Sequence, residues 1–312
     1  MSFLYWLETI RNPVLDAIMS TITLLGEEVF FLIFALLVFW CVSKRRGYVL
    51  LLVGFVGIII NQLLKLTFRI PRPWVKDPSF TTVGNAQDAA TGYSFPSGHT
   101  QNTVDTFGCI ARGTKLLWLR ITCIAIILLV AFSRMYLGVH TPLDVGVSLG
   151  IGVLLVLFVY PLFDMLLTTK RAVWFVLGAV VAVSVGLVLL TELYFPTVAG
   201  IDAVNLEEGQ KNAYTMLGCS LAILPVFALD RYKIKFETDA PLLGQILKLA
   251  LGAALAFAIQ EGLKVPLDLI FDGHMAGRAV RYFLLVVFAG TVWPLTFPLW
   301  AKVGKKKDQT EA

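Results

Sequence analysis

KRRGYVLLLVGFVGIIINQLLKLTFRIPRP, residues 44–73, opens on three cations, runs through apolar side chains from Val49 to Leu66, and ends on a second, more scattered set of cations. A helix needs roughly 20 apolar residues to cross the hydrocarbon of a bilayer, and this run is close to that length. Comparable runs lie at Val29–Val42, Leu116–Phe132, Leu143–Leu167 and Val173–Leu190. One such run could form the core of a large soluble protein. Several in a chain of 312 residues point to a membrane. The composition agrees: 57% of residues are hydrophobic and 15% charged, against about 25% charged in a soluble domain.

Outward from that stretch, the chain reads as an all-α, polytopic membrane helix bundle of about nine spans, at 27–43, 47–66, 98–112, 116–133, 142–167, 172–194, 212–229, 241–262 and 279–302. The third is the most polar, with His99, Gln101, Asn102 and Asp105 at its start. Residues 1–26 read as an interfacial segment, because Glu8, Arg11 and Asp16 interrupt Trp6, Leu7, Ile10, Val14 and Ile18. The net charge of +5 does not form a stripe suited to nucleic acid. It falls in short clusters: Lys44-Arg45-Arg46; Arg112, Lys115 and Arg120; Lys170-Arg171; Arg231, Lys233 and Lys235; Lys302 with Lys305-Lys306-Lys307. With nine alternating spans all five share one side, which the positive-inside rule makes the cytoplasm. The N-terminus is then outside and the C-terminus inside, and the acidic connection Glu192 to Glu208 lies outside. Cys41, Cys109, Cys123 and Cys219 sit within apolar segments and read as small buried residues. The N-terminus lacks the pattern of a cleavable signal peptide.

Three stretches place ionisable residues where a plain membrane helix would not: Lys65 through Arg72-Pro73, Pro96-Ser97-Gly98-His99, and Ser133-Arg134 with His140 and Asp144. The topology read from the other loops puts all three at one face. Lys65, Arg72 and Arg134 cluster positive charge, and arginine offers planar forks that match phosphate oxygens. Ser97, Gly98 and His99 open a helix, whose free N–H groups favour an anion. Gly98 has no side chain to keep an anion from the backbone. His140 and Asp144 are four apart, so on a helix they share a face and the carboxylate can fix the imidazole tautomer. His99 is a second imidazole, able to protonate a leaving group. Together these residues suit phosphoryl transfer.

Lys65-x6-Arg72-Pro73, Pro96-Ser97-Gly98-His99 and Ser133-Arg134-x5-His140-x3-Asp144 resemble the three signature motifs of the type-2 phosphatidic acid phosphatase (PAP2) superfamily. The resemblance covers residues 65–144 and implies a catalytic membrane core over 27–194 with six helices. Residues 195–312 would add three C-terminal membrane helices and a basic tail. It implies His140 as nucleophile, Asp144 as the carboxylate that orients it and makes it more basic, and His99 as acid and then base. It also implies Lys65, Arg72, Ser97, Gly98 and Arg134 as the phosphate-binding set, with no metal and no cofactor. The expected substrate is a lipid-like phosphate or pyrophosphate arriving from the bilayer, hydrolysed through a phosphohistidine on the extracytoplasmic face. Polyprenyl pyrophosphate, phosphatidic acid, phosphatidylglycerol phosphate and sphingoid phosphates all qualify. The alternatives are a sugar-phosphate phosphatase, suggested by the span count, a lipid phosphotransferase, or a lipid or phosphate transporter.

Other polar residues have plainer readings. His274 belongs to a solvated outer loop, and Arg69 and Lys76 are loop charges. Glu27-Glu28 start the first span, Glu261 pairs with Lys264, and Trp74 anchors at the interface. Asn61, one turn before Lys65, either faces the site or makes a helix–helix contact. Gln101 and Asp105 either line the cavity or bond within the bundle. Segment 77–95 is expected to cover or shape the pocket.

Overall fold

The computed structural model describes residues 1–169 and 171–304. Lys170 and residues 305–312, including Lys305-Lys306-Lys307 of the basic tail, lie outside the described residues. The described elements are all helical. Among the described residues seven helices are long and apolar enough to cross a membrane: Lys44–Lys76, Leu117–Tyr136, Pro142–Thr168, Ala172–Thr197, Ala203–Ile234, Leu242–Ile270 and Ala276–Trp300.

Two expected spans take another form. The first is the second half of a pair, Pro13–Gly26 and Glu28–Val42, bent by 54° at Glu27, whose extended backbone breaks the helix. The third is helical only over 98–113, short of a full crossing. Its side chains explain this: Thr100, Gln101, Thr103, Asp105 and Thr106 are each at most 1% exposed, so this helix is sheathed by protein rather than lipid.

The chain forms two compact units. One comprises Met1–Leu32, Val49–Met165 and Leu189–Asn212, and holds all three motifs. Its N-terminal segment is more than a lead-in. Leu4 and Leu7 are fully buried with Phe80, Val83, Tyr136, Leu137 and Val139. Arg11 donates to the carbonyls of Tyr136 (3.1 Å) and Thr81 (2.8 Å), and Tyr136 donates to Asp16 at 2.8 Å. Residues 77–90 are thereby pinned beneath the first two helices.

The other unit comprises Ile33–Tyr48, Leu166–Val188 and Ala213–Ala312. Trp40, Trp293, Phe297 and Phe236 form an aromatic cluster there. Its buried Lys248 satisfies its ammonium on the Thr238 carbonyl (2.9 Å) and the face of Phe297. Lys44 pairs with Asp230 at 2.9 Å. Among the described residues Glu261 and Lys264 form no ion pair: a helix ends at Gly262, another starts at Lys264, and both side chains are exposed.

Candidate active site

The local chain geometry explains how the motifs meet. Gly138, at φ 80°, lies just beyond the helix Leu117–Tyr136 in a conformation that glycine adopts without strain. The turn that follows carries Val139 and His140. Thr141 then caps the helix Pro142–Leu154: its hydroxyl accepts from the Asp144 N–H (3.3 Å), and the Asp144 carboxylate accepts from the Thr141 N–H (2.7 Å). This reciprocal cap corrects the expectation that His140 and Asp144 share a helix face. His140 precedes the helix, and the cap folds Asp144 back until Oδ2 stands 3.6 Å from His140 Nδ1.

The second motif docks on the third. The Ser97 N–H donates to the Asp144 carbonyl at 3.2 Å. Ser148 Oγ donates to the Ser97 carbonyl at 2.9 Å, and Ser94 Oγ donates to Asp144 Oδ2 at 2.6 Å. Ser97 Oγ caps the helix Gly98–Thr103 by accepting from the Thr100 N–H at 3.4 Å. A Cβ on Gly98 would meet only Asn61 Oδ1, at 3.9 Å, so the space beside this helix start is open to a ligand.

The cations are held by carbonyls. Lys65 Nζ donates to Tyr93 O at 2.6 Å. Arg72 donates from Nε to Gly92 O (3.0 Å), from Nη2 to Thr91 O (2.6 Å), and from Nη1 to Val139 O (3.0 Å). Its Nη1 also lies 2.9 Å from His140 Nε2. A guanidinium can only donate, so Nε2 carries the lone pair and the imidazole proton sits on Nδ1, facing Asp144. Burial, followed by the charges of Arg72, Arg134 and Lys65, holds the His140 imidazole well below its usual range, which keeps it neutral. Arg134 is 2% exposed and donates to Thr23 Oγ1 at 2.7 Å, leaving its buried Nε without a partner. His99 lies within electrostatic reach of Arg134, His140, Arg72 and Lys65, and its buried Nε2 is also unpartnered. Among the described residues no group of three or more His, Cys, Asp or Glu stands together as a metal site would need.

Two family models match the chain: the PAP2 superfamily over residues 46–168, and the PAP2 superfamily phosphatase transmembrane extension over residues 214–304. The undecaprenyl-diphosphatase BcrC of Bacillus subtilis is 33% identical over 161 residues, which cover 50% of this chain and 79% of that protein. The chain belongs to the PAP2 superfamily. This PAP2 protein is an integral membrane enzyme, a phosphatase. It is also 29% identical to a probable sphingosine-1-phosphate phosphatase of Dictyostelium discoideum, spanning 56% of this chain but only 43% of that relative. A crystal structure of a transmembrane PAP2-type phosphatidylglycerolphosphate phosphatase from Bacillus subtilis aligns with a TM-score of 0.45 at 29% identity, over 55% of this chain and 86% of that one.

All eight residues singled out by the PAP2 motifs lie in one compact unit. Several neighbours of theirs carry no sequence signal: the carbonyls of Thr91, Gly92 and Tyr93, Ser94, and Thr23 from the N-terminal helices. The last residues of segment 77–95 supply carbonyls that accept from Lys65 and Arg72. Trp74 has the Arg72 guanidinium 5.8 Å from its ring. Arg69 donates to Ala199 O at 2.8 Å in an exposed hydrogen bond. Gln101 and Asp105 bond each other at 3.0 Å, and His274 is exposed, as a loop residue should be.

Proposed function

We propose that the protein removes phosphate from a lipid phosphate or lipid pyrophosphate at the extracytoplasmic face, with His140 as nucleophile. The observation that carries this reading is the Arg72–His140–Asp144 array. Its Nε2 lone pair is aimed beside a cationic guanidinium while Nδ1–H faces a carboxylate. An incoming phosphoryl group takes the place of His140 Nε2 as Arg72's partner. The guanidinium then binds a non-bridging oxygen, and Nε2 attacks phosphorus as the bond to the leaving oxygen breaks. His99 gives that oxygen its proton. Water then attacks the phosphohistidine, His99 takes a proton from it, and inorganic phosphate leaves. Lys65, Arg134 and the N–H groups after Ser97 stabilise the transferring charge.

The substrate class follows from the setting. The motifs fall towards the ends of the helices Lys44–Lys76, Leu117–Tyr136 and Pro142–Thr168, which suits a substrate presented by a headgroup, and the named relatives are an undecaprenyl-diphosphatase and a probable sphingosine-1-phosphate phosphatase. The basic loops support a cytoplasmic C-terminus and an outward-facing site.

The test is phosphate release by detergent-purified protein, with chelator present, from prenyl pyrophosphates, glycerolipid phosphates, sphingoid phosphates and glucose 6-phosphate. Turnover of a lipid substrate is expected. His140→Ala should abolish it, and His99→Ala should allow an acid-labile phosphoenzyme to accumulate when the leaving group is a good one. Glucose 6-phosphate as the preferred substrate would overturn the lipid assignment. Undiminished turnover in His140→Ala would overturn the mechanism.

A further inference from the structure

In the unit that carries the motifs, eight described buried side-chain polar atoms have no partner; Arg11 Nη2 and Gln101 Oε1 are two of them, and the other six belong to motif residues or to Asn61. They include His99 Nε2, Arg134 Nε, His140 Nδ1, Asp144 Oδ1 and both amide atoms of Asn61. The first four belong to the motifs. Asn61 does not, yet it is only 3% exposed and sits one helical turn before Lys65. Its Oδ1 lies 3.9 Å from where a Cβ on Gly98 would stand, at the open helix start. Neighbouring polar side chains are satisfied by protein: Ser94, Ser97, Thr100 and Ser148 all have hydrogen bonds. A helix–helix contact would have given the Asn61 amide a protein partner, and it has none. An amide buried with neither donor nor acceptor used is costly unless a ligand or water completes it.

From this geometry we infer that Asn61 is a phosphate-positioning residue: its amide, held by no hydrogen bond in either sense, turns so that Nδ2 in place of Oδ1 faces the Gly98 helix start and donates to a non-bridging oxygen of the transferring phosphoryl group. The inference rests on the phosphatase reading above and adds a neutral donor to its cations. A neutral donor suits this position because it fixes an oxygen without closing an ion pair that would have to be broken on product release.

The experiment uses the full chain with Asn61→Leu and Asn61→Asp. It measures kcat and KM across pH, thermal stability, and stabilisation by orthovanadate, a phosphate mimic whose binding needs no turnover. Asn61→Leu should lower kcat/KM by about ten- to a hundred-fold, the effect of one hydrogen bond to a charged group, and should weaken the vanadate shift without lowering the melting temperature. Asn61→Asp should be impaired at alkaline pH and recover as the pH falls, because a protonated carboxyl regains the donor. Kinetics and a vanadate shift like wild type in Asn61→Leu would overturn the inference. So would a large loss of thermal stability with vanadate binding unchanged, which marks a structural contact. Should wild type release no phosphate from any substrate, the phosphatase reading fails, and the vanadate comparison still decides whether Asn61 binds the anion.

Discussion

Arg72 uses every guanidinium nitrogen before a substrate arrives: three donate to backbone carbonyls, and one of these also faces His140 Nε2. Lysine has neither the planar fork nor the reach to replace it. Arg72→Lys is expected to lower kcat/KM by about a hundred-fold or more, comparable to losing one preorganised donor in an oxyanion site, and steady-state kinetics will show it. His140 is predicted to set the acid limb of activity. Its folded pKa lies below the ordinary imidazole value of about 6.5, so it stays neutral until the pH falls below that range. The kcat/KM profile should therefore hold through pH 6.5 and fail only in more acid buffer. Asp144→Asn removes the charge that stabilises the imidazolium, and should lower kcat more than it changes KM. At this scale the sequence was informative because motif residues are rare chemical types at defined spacing. Ser94 and Thr23 were not legible: each acts through one hydrogen bond to a residue far along the chain, and nothing in their own neighbourhood signals it.

The helix Pro142–Leu154 joins structure and chemistry through one cap. Thr141 and Asp144 satisfy each other's backbone N–H groups, and the same carboxylate oxygen faces the His140 ring. Thr141→Ala should cost about 1 kcal/mol, the usual value of an N-cap side chain, readable as a drop in melting temperature. It should leave kcat nearly unchanged, because the Asp144 carboxylate keeps its bonds from the Thr141 N–H and from Ser94 Oγ. A cap lost without any effect on kcat would separate the two roles. The four-residue spacing of His140 and Asp144 suggested a shared helical face; the pair does meet, but by way of a cap rather than a helical repeat. Helix 98–113 shows the same limit. Its polar residues were visible in sequence, but whether lipid or protein surrounds a helix depends on neighbours that its own pattern does not name. Seven long apolar helices were readable directly, since each supplies its own backbone hydrogen bonds and needs only length and hydrophobicity to be recognised.

Across the whole molecule, the orientation inferred from the basic loops can be checked by labelling. A single cysteine at Gly84, in the loop beside the motifs, should react with a membrane-impermeant maleimide in intact cells, whereas one at Gly304 should react only after lysis. The reverse pattern would put the site inside. The last feature concerns the carbonyls of Thr91, Gly92, Tyr93 and Val139. The tethers of Lys65 and Arg72 are neutral dipoles rather than carboxylates, and the carboxylates of Asp144, Glu208 and Glu27 act on the cations only through space. Simple anions such as chloride, sulfate or phosphate are therefore expected to compete with the substrate for Lys65, Arg72 and Arg134, which inhibition kinetics at rising salt will show.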